Sequence, residues 1–190
     1  MFIPHLVFTN FLGADVNQRI LDCIQKLEDR MTTSLYLENG VEAVNSDVKK
    51  NKNLWLNKID DLELELNEYL ARYLLNTKLL HVLESYPDLM HVENNATRPY
   101  STLLSKYETG DFYDWHVDVG GFVTWSYVCY NETVNGGEFL LGSPDLQSTK
   151  NNVISIPCIN DSLIIFPARF RHRVNEIKSG SRYSLQIFFR

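Results

Sequence analysis

The sequence predicts an α+β fold: a β-rich C-terminal half closed into a jelly-roll barrel, a double-stranded β-helix, supported on its outer face by N-terminal helices. Three observations lead there. Two stretches before residue 75 repeat apolar residues at helical spacing, and from about residue 99 short β-rich runs follow one another between turn signals. The third is continuity: the 190 residues contain no internal repeat and no Gly/Ser-rich linker, so 1–190 is expected to be a single domain, with 1–98 as support and entrance loops and 99–190 as the barrel core.

In chain order, Leu6-Val7-Phe8 reads as a short strand closed by the turn Asn10-Phe11-Leu12-Gly13. Val16, Ile20, Leu21, Ile24 and Leu27 then recur at helical spacing behind Asp15, whose carboxylate favours a helix start, so a helix is expected over about 14–30. Residues 31–57 are polar and aperiodic and read as a surface excursion, with Lys49, Lys50 and Lys52 as a solvated edge. Leu62, Leu64, Leu66, Tyr69, Leu70, Tyr73 and Leu74 give a second helix a broad apolar stripe, with acidic residues early and Arg72 late, in accord with the helix dipole. His81 and His91, in the segment that follows, read as structural or exposed. The β-rich half comprises runs at 101–107, near 115–117, 122–130, 138–141, 153–156, 162–166, 172–177 and 182–189, punctuated by Gly-Gly, Ser-Pro, Asn-Asp and Ser-Gly pairs. Eight short strands in one compact half suit a jelly roll.

Composition narrows the function. An apolar content of 44% with 22% charged residues is that of an ordinary globular protein, and a net charge of −6 repels phosphate backbones on average, which disfavours a nucleic-acid partner. Cys23, Cys129 and Cys158 form no CxxC pair, and residues 1–8 carry no basic region of a secretory signal. The expected setting is therefore a reducing compartment, the cytoplasm, away from any membrane; the sequons at Asn95 and Asn131 read as accidental. Oligomeric state is not indicated.

The chemistry concentrates in Tyr107-Glu108-Thr109-Gly110-Asp111-Phe112-Tyr113-Asp114-Trp115-His116-Val117-Asp118. On an extended backbone His116 and Asp118 leave the same face. A carboxylate and a neutral imidazole are costly to desolvate inside a barrel, and a divalent cation offsets that cost while using both as ligands. His-x-Asp alone is a common tripeptide, so a third ligand is needed, and His172 supplies one, after the Pro-marked turn that follows Phe166. Two histidines and one carboxylate with open positions make the facial triad of non-haem Fe(II) chemistry. Arg169, Arg171 and Arg173 around His172 also admit an anion patch. Arg182 and Ser184 then share a strand face, a guanidinium fork beside a hydroxyl that suits a carboxylate ligand.

Six blocks in order carry a resemblance: Tyr107-x-x-Gly110-x-x-Tyr113-x-x-His116-x-Asp118, a strand ending near Tyr130-Asn131, Gly136-Gly137-Glu138-Phe139, Ser162-Leu163-Ile164-Ile165-Phe166-Pro167, His172-x-Val174 and Gly180-x-Arg182-Tyr183-Ser184. Over about 99–190 the chain resembles the iron(II)- and 2-oxoglutarate-dependent dioxygenases, in particular the prolyl 4-hydroxylase-like branch. The resemblance implies catalytic residues His116, Asp118, His172 and Arg182: the first three as iron ligands, and Arg182 on the distal carboxylate of 2-oxoglutarate with Ser184 assisting. It implies Tyr107 and Tyr127 reaching the cosubstrate, and Phe139 and Val174 as pocket walls. Trp115, Phe112 and Phe170 are candidates for shielding the mouth.

The implied cofactors are Fe(II), 2-oxoglutarate and O2, with ascorbate as reductant. The implied reaction is hydroxylation of an unactivated C–H bond, with succinate and CO2 as co-products. Asp118 favours hydroxylation over halogenation, because related halogenases carry a small residue in its place. The implied substrate is a prolyl residue in a peptide or protein, a free amino acid or a small metabolite. Alternatives are a nucleic-acid oxygenase of the same superfamily, disfavoured by the absence of a second arginine soon after Arg182, a non-catalytic jelly-roll binding protein, and a cupin-like enzyme that leaves Arg182 without a role.

Overall fold

The structure, a computed structural model, describes residues 3–38, 41–56, 61–74, 99–118, 123–144 and 153–189. His81, His91 and the Asn95 sequon lie outside the described residues. The elements run β1 (Leu6–Thr9), α1 (Ala14–Leu27) with a 3-10 turn over Glu28–Arg30, β2 (Thr32–Thr33), β3 (Tyr36–Glu38), β4 (Val41–Ala43), β5 (Lys49–Lys50), β6 (Lys52–Trp55) and α2 (Asp61–Tyr69), extended by a π-turn at Leu70–Leu74. The second half contributes β7 (Pro99–Tyr107), β8 (Phe112–His116), β9 (Val123–Cys129), β10 (Asn135–Gly136), β11 (Phe139–Gly142), β12 (Val153–Ile156), β13 (Ser162–Pro167), β14 (Arg171–Val174), β15 (Ile177–Ser179) and β16 (Arg182–Phe189).

Two facing sheets form the double-stranded β-helix. The major sheet has the order β1-β13-β9-β16-β7-β6-β2 and the minor sheet β12-β11-β14-β8-β5; β10-β15 and β3-β4 are small separate pairs. Every pairing is antiparallel.

Alternation along the major strands divides two cores. Tyr183, Leu185, Ile187 and Phe189 of β16, with Trp125 and Tyr127 of β9, pack against Ile20, Ile24 and Leu27 of α1 and Leu66 of α2. Each fully buried Leu or Ile contributes roughly 1.5–3 kcal/mol, so this layer anchors the helices that the apolar spacing predicts. The opposite face of the same strands carries Thr124, Ser126, Arg182, Gln186 and Phe188 into the barrel. There Phe139, Leu141, Ile164, Phe166 and Val174 form the second core.

Two expectations change. The described residues of 31–57 are not an irregular excursion: β5 adds to β8 at the edge of the minor sheet and β6 adds to β7 in the major sheet. Strands of two to four mostly polar residues have no period of their own, so only their partners reveal them. The run expected over 172–177 divides into β14 and β15, because Asn175 N–H donates to the Glu138 carbonyl and Ile177 N–H to the Asp111 carbonyl, ending the pairing with β8.

Candidate active site

β8 and β14 pair so that His116 lies directly opposite His172, and Asp118, two residues past His116, is held where its N–H donates to the Ala168 carbonyl at 3.1 Å. One ligand atom from each of the three residues falls within 4.8 Å of the others. The tautomers follow from the partners. His116 Nδ1 is 2.8 Å from the Asp114 carbonyl and His172 Nδ1 is 2.9 Å from the Phe170 carbonyl. A carbonyl only accepts, so both Nδ1 atoms carry the proton, and in the neutral rings both Nε2 atoms present lone pairs.

His172 Nε2 faces Asp118 Oδ1 at 3.6 Å, and Thr124 Oγ donates to Asp118 Oδ2 at 2.6 Å. Burial, then the neighbouring His172, pushes His116 well below its ordinary 6.5, which keeps it neutral and able to ligate. Burial opposes ionisation of Asp118, yet the two imidazoles and the Thr124 hydroxyl hold its carboxyl down to about 2. Oriented imidazoles, one ionised carboxylate and a converging geometry fit a divalent metal.

The triad opens into a cavity that also holds Arg182. Arg182 is buried beneath Tyr107, its guanidinium 5.0 Å from that ring, and Nη1 donates to the Gly137 carbonyl at 3.1 Å. Its Nε has no hydrogen-bond partner, and among the described residues no carboxylate pairs with the guanidinium. A buried cation with an open donor is a site for an anion. The Gly136-Gly137 pair is part of it: both residues sit at positive φ, and a side chain on Gly136 would strike the Glu176 carbonyl.

The other expected residues divide. Phe139 and Val174 are register partners and both line the cavity, as does Tyr107. Ser184 points inward but accepts a bond from Gln186 Nε2 at 2.7 Å, so Gln186 and Ser105 present the polar surface there.

Tyr127 is a correction. It lies on the helix side of β9, and its hydroxyl stands 2.7 Å from Asn17 Oδ1 and 2.9 Å from Asp161 Oδ1. The side chains that β9 turns into the cavity are Thr124 and Ser126. The alternation of small hydroxyl with large aromatic residues along β9 is the signal that separates its two faces. Trp115 is also turned away from the mouth, lying between Arg171 and Arg173 at 5.5 and 5.9 Å, while Phe170 belongs to the barrel core and Phe112 sits half-buried on β8.

Lys49 is a second correction: expected on a solvated edge with Lys50 and Lys52, it is buried. Lys50 and Lys52 do lie on the outer edge, 3.5 Å from Asp111 and 3.1 Å from Glu108. Lys49 instead pairs in register with Tyr113 and enters the cavity, with Nζ 4.3 Å from the Tyr113 ring centre. Burial pushes its ammonium down to about 8, against the pull of Asp118. Tyr113 in turn stacks on His116, ring centres 3.5 Å apart.

The converging His, Asp and His side chains have the donor set of the facial triad that holds iron in non-haem Fe(II) oxygenases. Residues 102–190 match the family model of the 2OG-Fe(II) oxygenase superfamily. No curated protein sequence matches the chain significantly. Among solved structures, a Trichoplax adhaerens prolyl hydroxylase in complex with a hypoxia inducible factor oxygen degradation domain peptide fragment is 23% identical with a TM-score of 0.73, over 97% of this chain and 82% of that one. A Pseudomonas putida prolyl-4-hydroxylase is 16% identical with a TM-score of 0.68, over 99% and 92% of the two chains. A viral collagen prolyl hydroxylase from Paramecium bursaria Chlorella virus-1, in its 2OG complex, is 15% identical with a TM-score of 0.61, over 97% and 94%. At these identities the likeness is one of fold. Among the described residues no helix is long and apolar enough to cross a membrane.

Proposed function

We propose that this protein is an Fe(II)- and 2-oxoglutarate-dependent hydroxylase acting on a prolyl residue of a peptide or protein or on a free amino acid of similar shape. The observation that carries this reading is one cavity with two unlike ends: three convergent ligand atoms within 4.8 Å, and the buried, carboxylate-free guanidinium of Arg182. In this reading His116, Asp118 and His172 hold the iron, Arg182 holds the distal carboxylate of 2-oxoglutarate, and Tyr107, Phe139 and Val174 wall the space between. Once bound, the iron and 2-oxoglutarate supply, with O2, the oxidative decarboxylation that yields succinate and CO2 and puts one oxygen atom into the C–H bond. The protein fixes the ligands, orients the target carbon and excludes water. Ascorbate serves as reductant for oxidised iron.

The prolyl preference is supported by the likeness to prolyl hydroxylases, one of which holds a peptide. That β5 and β6 extend the two sheets supports reading 1–98 and the barrel as one domain. The three cysteines are free thiols, which fits the cytoplasm.

The test is succinate formation from 2-oxoglutarate by the purified protein under air, with and without Fe(II). Iron-dependent succinate is expected, abolished in His116→Ala. In Arg182→Gln the 2-oxoglutarate requirement should rise at least about 30-fold, the cost of removing one partner of a buried charged pair. If wild-type protein forms no succinate and, without oxygen, shows no visible Fe(II)–2-oxoglutarate absorption band, the reading is wrong.

A further inference from the structure

The cavity holds one charged group that this reading leaves unused. Lys49 is buried, with Nζ against the Tyr113 ring and, with the Asn53 carboxamide turned to satisfy its neighbours, 3.0 Å from the carboxamide oxygen. Lys50 and Lys52 have carboxylate partners; among the described residues Lys49 has none at ion-pair distance. A buried ammonium is costly to desolvate, and in a ligand cavity an arriving anion removes that cost.

Charge and position indicate which anion. The cavity's fixed charges are Lys49 and Arg182 against Asp118. A doubly charged iron and a doubly charged 2-oxoglutarate cancel each other, so one positive charge is left over. Arg182 is enclosed by Tyr107, Gly137 and Cys158, as suits the cosubstrate's end. Lys49 comes from the edge strand β5. The next strand in the chain, β6, carries the half-exposed Trp55, tilted against the cavity-lining Phe188 with ring centres 5.9 Å apart, so solvent-exposed surface adjoins this part of the cavity. The Tyr113 ring touches both the Lys49 ammonium and the His116 imidazole. An anion on Lys49 is therefore separated from the His116 ligand by a single aromatic ring, close to the reacting centre.

Resting on the proposed hydroxylase reading, we propose that Lys49 binds the α-carboxylate of the residue that is hydroxylated, so that the substrate is a free amino acid or the C-terminal residue of a peptide. The carboxylate then lies two or three bonds from the attacked carbon, and Lys49 is a specificity-determining residue.

The test uses full-length protein loaded with Mn(II) and 2-oxoglutarate without oxygen. It is titrated calorimetrically with each proteinogenic amino acid as free acid, N-acetyl acid, amide and N-acetyl amide. At least one acid should bind about 10- to 100-fold more tightly than its own amide, as a charge-assisted hydrogen bond provides. A preference for the free acid identifies a free amino acid, and one for the N-acetyl acid a peptide C-terminus.

Lys49→Met should abolish the preference and Lys49→Arg should retain it, while the Kd for 2-oxoglutarate stays within twofold in both. Retained thermal unfolding confirms that Lys49→Met is folded. The proposal is overturned if no acid outbinds its amide, or if Lys49→Met weakens 2-oxoglutarate instead. Iron-dependent succinate formation by the same wild-type preparation separates this failure from failure of the hydroxylase reading itself.

Discussion

Replacing Tyr127 by Phe separates two opposed roles for one residue. If the phenol reached 2-oxoglutarate, the variant would bind the cosubstrate poorly. The structure gives it other work. The Tyr127 hydroxyl lies between Asn17 of α1 and Asp161, and burial first, then nearby acidic groups including Asp161, keeps that phenol protonated far above its ordinary range. Asp161, itself at a positive φ of 53°, accepts from Leu12 N–H at 2.9 Å and Gly13 N–H at 2.8 Å, so it fixes the chain where it enters α1. Tyr127→Phe removes a buried donor to a carboxylate, which costs about 1.5–3 kcal/mol, or about 3–12 °C in Tm for a chain of this size. Thermal unfolding followed by circular dichroism measures the loss. Titration of the Mn(II)-loaded variant should give an unchanged 2-oxoglutarate Kd. Refutation would be the reverse pair: an unchanged Tm and an affinity at least tenfold weaker. That outcome would mean β9 is out of register by one residue, with Trp125 and Tyr127 rather than Thr124 and Ser126 facing the cavity.

Two further outcomes are expected together. Mn(II) at about 100 times its Kd should stabilise the folded protein by about 2.7 kcal/mol, raising Tm by about 5–11 °C, with EDTA reversing the rise and His116→Ala losing it. Cys23 is pushed up to about 11 by burial and then by Glu65, and Cys129 is raised further, chiefly by burial, whereas Cys158 is partly exposed. At pH 8 only about one Cys23 in a thousand is thiolate, so alkylation followed by peptide mass spectrometry should label Cys158 alone until the protein is unfolded. Fast native labelling of Cys23 or Cys129 would contradict the helix-to-sheet packing.

Much of the site was legible because its parts are close in sequence or carry rare combinations. His116 and Asp118 sit two residues apart at the end of one strand, and Arg182 and Ser184 share the face of another. The link to His172 needed only the expectation that a jelly roll brings distant strands together. The helices were legible too, since an apolar stripe at 3.6-residue spacing is a local property.

What stayed hidden depends on pairing. Both faces of β9 are buried, one against the helices and one in the barrel, so the hydrophobic pattern alone does not say which way Tyr127 turns. β5 has two residues, and nothing local distinguishes Lys49 from Lys50 or Lys52. By itself, then, the sequence determined the chemistry available: two histidines and a carboxylate able to hold a metal, an arginine suited to an anion and a helix-supported barrel. Only the tertiary structure decided which side chains meet it, because inward or outward is a matter of strand register, set by partners far along the chain. On that register Tyr127 supports α1 and Lys49 faces the cavity.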